Sequence, residues 1–257
     1  MQKKKIKALI HTQIKIAPDI YDMWIVTELA QDAKPGQFIC LFPRDKSTLL
    51  PRPISICEVD KKQGLIRIVY RIAGKGTTEF STYQAGETVD ILGNLGNGFP
   101  LEKAEGKNVF LIGGGIGVPP LLELSKEMQA NKQIIVGYRD QETFLKADFE
   151  KYGTLYIATE DGSVGSKGNV LDAIKENGLK ADMIFACGPM PMLKAIKNYA
   201  KEEGIPAYIS LEEHMACGVG ACLGCVVKTK EIDHHSHVHN ARICTDGPVF
   251  EAGEVDI

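Results

Sequence analysis

The sequence lacks the features of membrane proteins and of general nucleic-acid-binding proteins. Its longest uncharged apolar run, residues 108–122, contains four glycines and two prolines. It is also shorter than the roughly 20 residues that a membrane-spanning helix needs. Neither sign of charge dominates, because 30 Lys and Arg against 33 Asp and Glu give a net charge of −3. That balance argues against a general nucleic-acid binder, which carries a basic surface. We therefore expect neither a membrane nor a nucleic-acid partner.

Disorder, internal repeats and secretion signals are also missing. Apolar residues make up 44% of the chain and charged residues 25%, which is usual for a globular protein. Polar residues such as His11 and Thr12 interrupt the N-terminal segment, so it does not resemble a signal peptide. We therefore expect a cytoplasmic protein. Its seven cysteines are then expected to be ligands or core residues and not disulfides.

The 257 residues divide into three parts with different patterns. Residues 1–104 contain short alternating segments separated by turn residues, which predicts an antiparallel β-barrel. Residues 105–212 alternate between strand and helix patterns, which predicts a parallel sheet with helices on both faces. Ligands of such a sheet bind at the carboxyl ends of its strands. Residues 213–257 hold four of the seven cysteines and five of the six histidines. We predict that this third part is a small domain of its own.

The predicted elements of the central part are five strands and three helices. We expect strands at 108–112, 134–138, 154–158, 183–186 and 208–211, and helices at 119–128, 170–175 and 190–201.

The strongest motif is a set of four cysteines in the C-terminal part. Cys217, Cys222 and Cys225 form a Cys-x4-Cys-x2-Cys run, and eighteen residues separate Cys225 from Cys244. This is the plant-type ferredoxin spacing of a [2Fe-2S] cluster, and the interleaved glycines let the backbone fold closely around the inorganic sulfides. A structural zinc site usually joins two Cys-x2-Cys pairs, of which only one is present. Zinc and unligated thiols remain as alternatives.

The other three cysteines, Cys40, Cys57 and Cys187, are interpreted as small core residues, because free cysteine is among the most buried residue types.

Two loops of the central part have the character of nucleotide-binding loops. Each follows a predicted strand and opens a predicted helix, whose N-terminus attracts phosphate. The first contains Gly113, Gly114, Gly115 and Gly117, and the second is Cys187-Gly188-Pro189. Val118 stands where the last glycine of a G-x-G-x-x-G motif would be. A tight strand–helix turn therefore remains an alternative for the first loop.

Two segments of the barrel part are candidates for a flavin site. The first is Arg52-Pro53-Ile54-Ser55. Alone, its Arg-Pro pair is typical of a surface turn. The second begins with Tyr70, Arg71 and Ile72 and continues through a glycine-rich turn to Gly76 and Thr77. That second segment has the pattern of a strand leading to a helix N-terminus, where a pyrophosphate can bind.

Together these motifs resemble the ferredoxin–NADP reductase superfamily. In that superfamily a flavin barrel carries an R-x-x-[ST] motif, and a nucleotide domain carries a GGxGIxxP-like loop and a CGP loop. Residues 95–99 (LGNGF) resemble its short loop after the last barrel strand. Residues 215–222 (MACGVGAC) are similar to the electron-transfer subunits of type B dihydroorotate dehydrogenase, and the similarity covers essentially the whole chain.

The resemblance implies roles for the matched residues. Arg52 would hold the FAD pyrophosphate and Ser55 would bind the flavin near N5. Tyr70, Arg71 and Ile72 would line the flavin, Gly76 and Thr77 would bind its phosphates, and the loops at Gly113–Gly117 and Cys187–Pro189 would receive NAD(H). The superfamily usually has an aromatic residue where Ile54 stands, so the residue that stacks on the flavin is not identified.

Acidic residues at the ends of two predicted strands favour NAD over NADP. Asp140 follows Arg139, and Glu160 and Asp161 follow the next strand. Carboxylates at this position favour a free ribose hydroxyl and disfavour a 2′-phosphate.

A histidine group lies between Cys225 and Cys244. It consists of His234, His235, His237 and His239. A metal site is one interpretation. We favour an exposed hairpin, because exposed loops tolerate such a composition.

The resemblance implies an electron-transfer subunit without catalytic acid–base residues. Electrons would pass from the FMN of a dihydroorotate dehydrogenase catalytic subunit through [2Fe-2S] and FAD to NAD+, in pyrimidine biosynthesis. The two kinds of subunit would form a heterotetramer, and the surface around Val219, Ala221 and Leu223 would be buried in it. The alternatives are a stand-alone NAD(P)H-dependent reductase for another acceptor and a non-catalytic regulatory module, since one fold hosts many functions.

Overall fold

The N-terminal part forms a closed antiparallel barrel of six strands. The computed structural model describes residues 4–232 and 237–257. The elements of this part are β1 (Lys5–Ala17), β2 (Ile20–Val26), β3 (Phe38–Phe42), β4 (Arg52–Asp60), β5 (Leu65–Arg71), α1 (Lys75–Phe80) and β6 (Thr88–Leu95). Around the barrel the order is β1-β2-β5-β4-β3-β6. The predicted barrel is confirmed, and it places β3 beside β4, the strand that begins with the flavin segment.

The barrel wall is apolar on both sides along β3. Ile39 and Leu41 point into the barrel interior, whereas Phe38 and Cys40 face outwards and pack with residues of the other two parts. Successive side chains of a strand alternate between its two faces, so this pattern follows from the sequence. One strand thus serves the barrel core and the contact with the C-terminal part.

A tight turn fixes the register of β4 against β5. The Asp60 carboxylate accepts hydrogen bonds from the Gln63 backbone N–H (3.0 Å) and side-chain amide (2.7 Å). Gly64 follows with φ +67°, a conformation that favours glycine. The pairing that results aligns Ile56 with Ile68 and Asp60 with Leu65.

The central part is a mainly parallel sheet with helices on both faces, as predicted. Its elements are β7 (Asn108–Gly114), α2 (Pro120–Glu127), β8 (Asn131–Tyr138), α3 (Lys146–Phe149), β9 (Thr154–Thr159), β10 (Ser166–Lys167), α4 (Val170–Glu176), β11 (Met183–Cys187), α5 (Met190–Glu203) and β12 (Ala207–Ser210). The sheet order begins β10-β9-β8-β7-β11-β12. All five residues of β11 are buried, because central parallel strands are covered on both faces.

Among its described residues, the C-terminal part contains four short strands. They are β13 (Val226–Thr229), β14 (Asn240–Arg242), β15 (Val249–Glu251) and β16 (Val255–Asp256). Strands β14, β13 and β16 form a small sheet, but β15 pairs antiparallel with β12 as the seventh strand of the central sheet. That pairing was not predicted, and it ties the C-terminal part to the nucleotide-binding part.

Buried polar contacts fasten the barrel to the central part. The Glu123 carboxylate on α2 accepts the Val59 N–H of β4 (2.8 Å), and Lys126 donates to the Val59 carbonyl. Arg67 on β5 bonds to Asp22 in the barrel (2.8 Å) and to Asp148 on α3 (3.2 Å). These contacts link β4 to α2 and β5 to α3. Within the two described ranges, no helix has the length and apolar character needed to cross a membrane.

Candidate functional site

The flavin segment begins at the start of β4, beside the start of α1. Arg52 donates through Nη1 to the Leu50 carbonyl (2.7 Å), and its guanidinium lies over Gly76. A Cβ at Gly76 would come within 2.8 Å of Arg52 Nε, so glycine leaves the room that the guanidinium occupies. The Arg52 guanidinium, which can bind an anion through two parallel N–H groups, is therefore held at the N-terminus of α1. This position suits the pyrophosphate of FAD.

The Thr77 hydroxyl is already used within the turn that precedes α1. Its Oγ1 accepts the backbone N–H groups of Ala73 (2.8 Å) and Gly74 (3.2 Å) and donates to the Gly74 carbonyl (3.0 Å). The side chain therefore shapes the turn. A phosphate there would be bound by backbone N–H groups of the turn and helix start, and not by this hydroxyl.

Tyr70 and Arg71 are neighbours on β5, but their side chains lie in different environments, one buried and one exposed. Tyr70 is 1% exposed, stacks on Tyr21 and donates its hydroxyl to Gln13 Oε1 (3.1 Å) inside the barrel. Any flavin contact of Tyr70 would therefore come from its backbone. Arg71 is exposed at the end of β5, and Ile72 continues the chain with its N–H on the Asp19 carbonyl (2.8 Å).

Within β4, the residues after Arg52 lie against β3. Pro53 is paired with Cys40, Ile54 with Ile39 and Ser55 with Phe38. Ile54 packs at the edge of the barrel core. The predicted flavin residues thus lie on one side of the barrel, at the N-terminal end of β4, the C-terminal end of β5 and the start of α1.

The two predicted nucleotide loops lie against each other. Strands β7 and β11 are neighbours and place Gly113 opposite Cys187. A Cβ at Gly117 would come within 2.5 Å of the Gly188 Cα, so the loops pack backbone against backbone. Among the described residues, a Cβ at Gly115 (φ +53°) would meet nothing within 4 Å. The loops therefore form a closely packed base with open space above it, which suits a dinucleotide at the carboxyl ends of the strands.

The acidic residues after β8 and β9 also lie side by side. Glu160 N–H donates to the Tyr138 carbonyl (3.2 Å) and Asp161 N–H to the Arg139 carbonyl (3.3 Å). The Ser163 hydroxyl and N–H both donate to Asp161 and lower the pKa of that carboxyl. Two acidic residues are therefore present at the carboxyl ends of β8 and β9, where carboxylates favour a free ribose hydroxyl.

The four C-terminal cysteines are brought together in two pairs. Cys217 interacts with Cys222, and Cys225 with Cys244, while Cys217 lies close enough to Cys244 to affect its pKa. In residues 4–232 and 237–257, no three acidic, cysteine or histidine side chains converge on a point that could hold one metal ion. Two pairs of cysteines match the needs of a [2Fe-2S] cluster, in which each iron takes two protein ligands.

Backbone N–H groups stabilise the Cys217 sulfur as a thiolate. Val219 and Ala221 donate to Cys217 Sγ at 3.4 and 3.3 Å. Burial raises the pKa of this thiol, but these N–H groups and Cys222 outweigh it and lower the pKa to about 6. The thiolate is the form that binds metal. By contrast, burial and the neighbouring Cys225 raise the pKa of Cys244 to about 12.

A charged pair holds the distant cysteine against the cluster loop. Arg242 binds Asp246 through Nε (3.1 Å) and Nη2 (3.1 Å), and its Nη1 donates to the Gly220 carbonyl (3.4 Å). Gly220 has φ +81°, and a Cβ there would lie 2.8 Å from Thr245 Cγ2. The turn around Cys244 thus packs directly onto the loop that carries the other three cysteines.

Two residues near these sites were not assigned a role from the sequence. Cys40 on β3 lies beneath the cluster loop, where burial and then the nearby Cys244 raise the pKa of its thiol to about 12. Glu212, two residues after β12, lies close to both Cys187 and Arg71. Desolvation raises the pKa of its carboxyl, and Arg71 partly offsets the rise. Glu212 therefore lies near both the nucleotide loop and the flavin segment. Its position, an acid just beyond a predicted strand end, was the only available signal.

Apolar side chains are exposed beside the cysteines. Leu223 is 54% exposed with φ +54°, Val226 is 40% exposed and Val219 37%.

Of the histidine group, His239 lies with its Nδ1 atom 3.0 Å from the Lys230 carbonyl oxygen. His234 and His235 lie outside the described residues, so the predicted hairpin stays a prediction.

Comparisons with known proteins agree with this arrangement. A family model for the iron–sulfur cluster binding domain of dihydroorotate dehydrogenase B matches residues 212–256. A curated relative from Geobacillus thermodenitrificans, the electron transfer subunit of dihydroorotate dehydrogenase B (NAD(+)), is 45% identical over 252 residues, covering 95% of each chain. A relative of the same name from Fusobacterium nucleatum is 43% identical and covers 96% of this chain and 97% of its own.

Solved structures share the fold. A structure of NADH-dependent reduced ferredoxin-NADP oxidoreductase, described for flavin-based electron bifurcation, superimposes with a TM-score of 0.87 at 31% identity, covering 100% of this chain and 91% of the other. A ferredoxin NADP+ reductase from Neisseria gonorrhoeae has a TM-score of 0.65 at 17% identity, covering 84% and 96%. The second similarity shows the fold alone.

Proposed function

The chain belongs to the family of electron transfer subunits of dihydroorotate dehydrogenase B, and from this premise we propose that it carries electrons between the catalytic subunit of that enzyme and NAD+. It is the NAD-linked flavoprotein subunit of an oxidoreductase complex that acts in pyrimidine biosynthesis. Its cofactors are FAD and a [2Fe-2S] cluster. When bound, FAD supplies hydride exchange with NAD(H), and the cluster supplies single-electron transfer.

The observation that carries the proposal is the paired arrangement of Cys217, Cys222, Cys225 and Cys244 against the flavin barrel. The Cys217 sulfur accepts two backbone N–H groups, which favours a thiolate ready to bind iron. Barrel residues on the outer face of β3 and β6 pack with Cys225 and Cys244 and exclude water from that side.

The flavin and nucleotide segments position their ligands with groups of the chain itself. In the proposal, the Arg52 guanidinium and the N–H groups at the start of α1 bind the pyrophosphate of FAD. The loops containing Gly117 and Gly188 bind NAD(H) at the carboxyl ends of β7 and β11. Glu212 lies near both sets, within electrostatic reach of Cys187 and Arg71.

Docking of the catalytic subunit is assigned to the cluster loop. Val219, Leu223 and Val226 give this surface an exposed apolar character, which is costly unless a partner covers it. On the strength of the family resemblance we extend the proposal to an FMN-containing partner, a heterotetramer and a cytoplasmic location. The seven cysteines, all within the described residues, form no disulfide, as is usual in a reducing compartment.

Metal, sulfide and flavin analysis of protein purified without oxygen tests the cofactor assignment. We expect about two irons and two acid-labile sulfides per chain, together with FAD. Addition of NADH should bleach the flavin and produce the electron paramagnetic resonance signal of a reduced [2Fe-2S] centre. One zinc ion without sulfide would contradict the proposal. Rapid NADH turnover with a soluble acceptor protein, and none with dihydroorotate in the presence of the partner, would favour a stand-alone reductase.

A further inference from the structure

Cys40 is a fifth sulfur beside the four cluster cysteines. It lies in the middle of β3, is fully buried and faces outwards from the barrel. A Cβ built at Gly218 would lie 3.1 Å from Cys40 Sγ and 3.2 Å from Leu95 Cδ1. The loop between Cys217 and Cys222 therefore rests on this thiol. Gly218 has φ +67° and carries no side chain, which permits the close approach.

The surroundings of Cys40 are otherwise apolar. It shares one buried cluster with Phe38, Leu92 and Leu95 of the barrel and with the ligands Cys225 and Cys244. Its β4 partner is Pro53 of the flavin segment. Cys40 therefore lies where the barrel wall meets the cluster loop, one strand away from the flavin residues.

We propose that Cys40 is a positioning residue for the [2Fe-2S] cluster: its thiol supports the loop at Gly218 and donates a weak hydrogen bond towards the cluster sulfurs. The inference rests on the proposed function, because it needs the cluster to be held by the four cysteines. A thiol has one weak S–H donor, and the side chains packed in the same buried cluster include the ligands Cys225 and Cys244, whose sulfurs can accept it.

Two properties of the cluster should depend on this contact. Hydrogen bonds to the sulfurs and burial set the reduction potential of an iron–sulfur cluster, and a donor raises it by stabilising the reduced, more negative form. Outer groups that orient ligands also affect retention of the metal, typically by about 10–100-fold on mutation. Loss of the Cys40 thiol should therefore lower the midpoint potential and speed the release of iron.

A set of three variants separates the donor role from simple packing. Cys40→Val fills the site with an apolar side chain, Cys40→Ala empties it, and Cys40→Ser keeps a donor. If Cys40 donates, serine retains or raises the midpoint potential whereas valine and alanine lower it. If Cys40 only fills space, valine restores the wild-type behaviour and serine does not. Cys57→Ala is the matched control, because Cys57 is an equally buried barrel cysteine that packs in a different core cluster.

The measurements are a redox titration of the purified holoprotein followed by electron paramagnetic resonance, and iron release to a chelator. We expect Cys40→Ala to release iron about tenfold faster than wild type and Cys57→Ala to match wild type. Equal midpoint potentials in wild type, Cys40→Val and Cys40→Ala would overturn the inference while leaving the proposed function intact. A wild-type protein without iron and sulfide would overturn the proposed function, and the inference with it. If Cys40→Ala does not fold, the serine–valine comparison decides.

Discussion

Replacement of Arg52 by alanine should weaken FAD binding without unfolding the barrel. The side chain is only half-buried, and among its described contacts Nη1 bonds to the Leu50 carbonyl (2.7 Å). The Nε side of the guanidinium lies beside Gly76 at the start of α1, where a pyrophosphate is expected to bind. The substitution therefore removes a charged anion-binding fork from the flavin site.

The expected magnitude follows from the type of contact. Hydrogen bonds to charged groups contribute about 1.5–3 kcal/mol. Because each 1.4 kcal/mol corresponds to a tenfold change in affinity, the FAD dissociation constant should rise about ten- to a hundredfold. Arg52→Lys keeps the charge but loses the planar fork, so its affinity should lie between those of wild type and Arg52→Ala.

A second variant disturbs the same contact from the opposite side. Gly76→Ala places a Cβ that would lie 2.8 Å from Arg52 Nε, which displaces the guanidinium without removing its charge. Lys61→Ala is the control, since it removes an exposed cation beyond the far end of β4. Serial dilution of the holoprotein, followed by the fluorescence of released flavin, gives each dissociation constant. Equal affinities for wild type, Arg52→Ala and Gly76→Ala would refute the assignment of the flavin segment.

Three further predictions concern the other sites. Cys222→Ser should abolish or destabilise the cluster, seen as lost iron and sulfide, while Cys57→Ser should retain both. NADH should reduce the bound flavin faster than NADPH in stopped-flow absorbance, because Glu160 and Asp161 repel a 2′-phosphate; a clear preference for NADPH would contradict this. Leu223→Glu should weaken assembly with the catalytic subunit in size-exclusion chromatography while leaving FAD bound, since it places a charge on the apolar docking surface. Unchanged co-elution would argue that the partner binds elsewhere.

Local sequence patterns were sufficient for the longer strands and helices of the central part. The buried strand β11 and the helix α5 both appear in the sequence as apolar patterns with turn residues at their ends. Elements without such a pattern were missed. α3 has four residues and β10 has two, which is too short for any periodicity to show. The spacing of the cysteines likewise predicted the cluster motif, because three ligands are close in sequence.

Contacts between distant segments were not available from the sequence. In β5, Val69 packs in the core shared with the central sheet and Tyr70 packs inside the barrel, so both faces are apolar. Alternation could not indicate which residue faced the flavin. Cys40 was correctly interpreted as a core residue, but its place under Gly218 depends on a segment almost 180 residues later in the chain. The position of Glu212 was likewise not predictable from the sequence, because its neighbours come from β5 and the end of β11.

Co-expression with a dihydroorotate dehydrogenase catalytic subunit tests the central claim most directly. The two proteins should co-elute from a size-exclusion column, and the complex should form NADH from NAD+ when dihydroorotate is added, whereas this chain alone should form none. Separate elution of the two proteins, or a complex that oxidises dihydroorotate without forming NADH, would contradict the account.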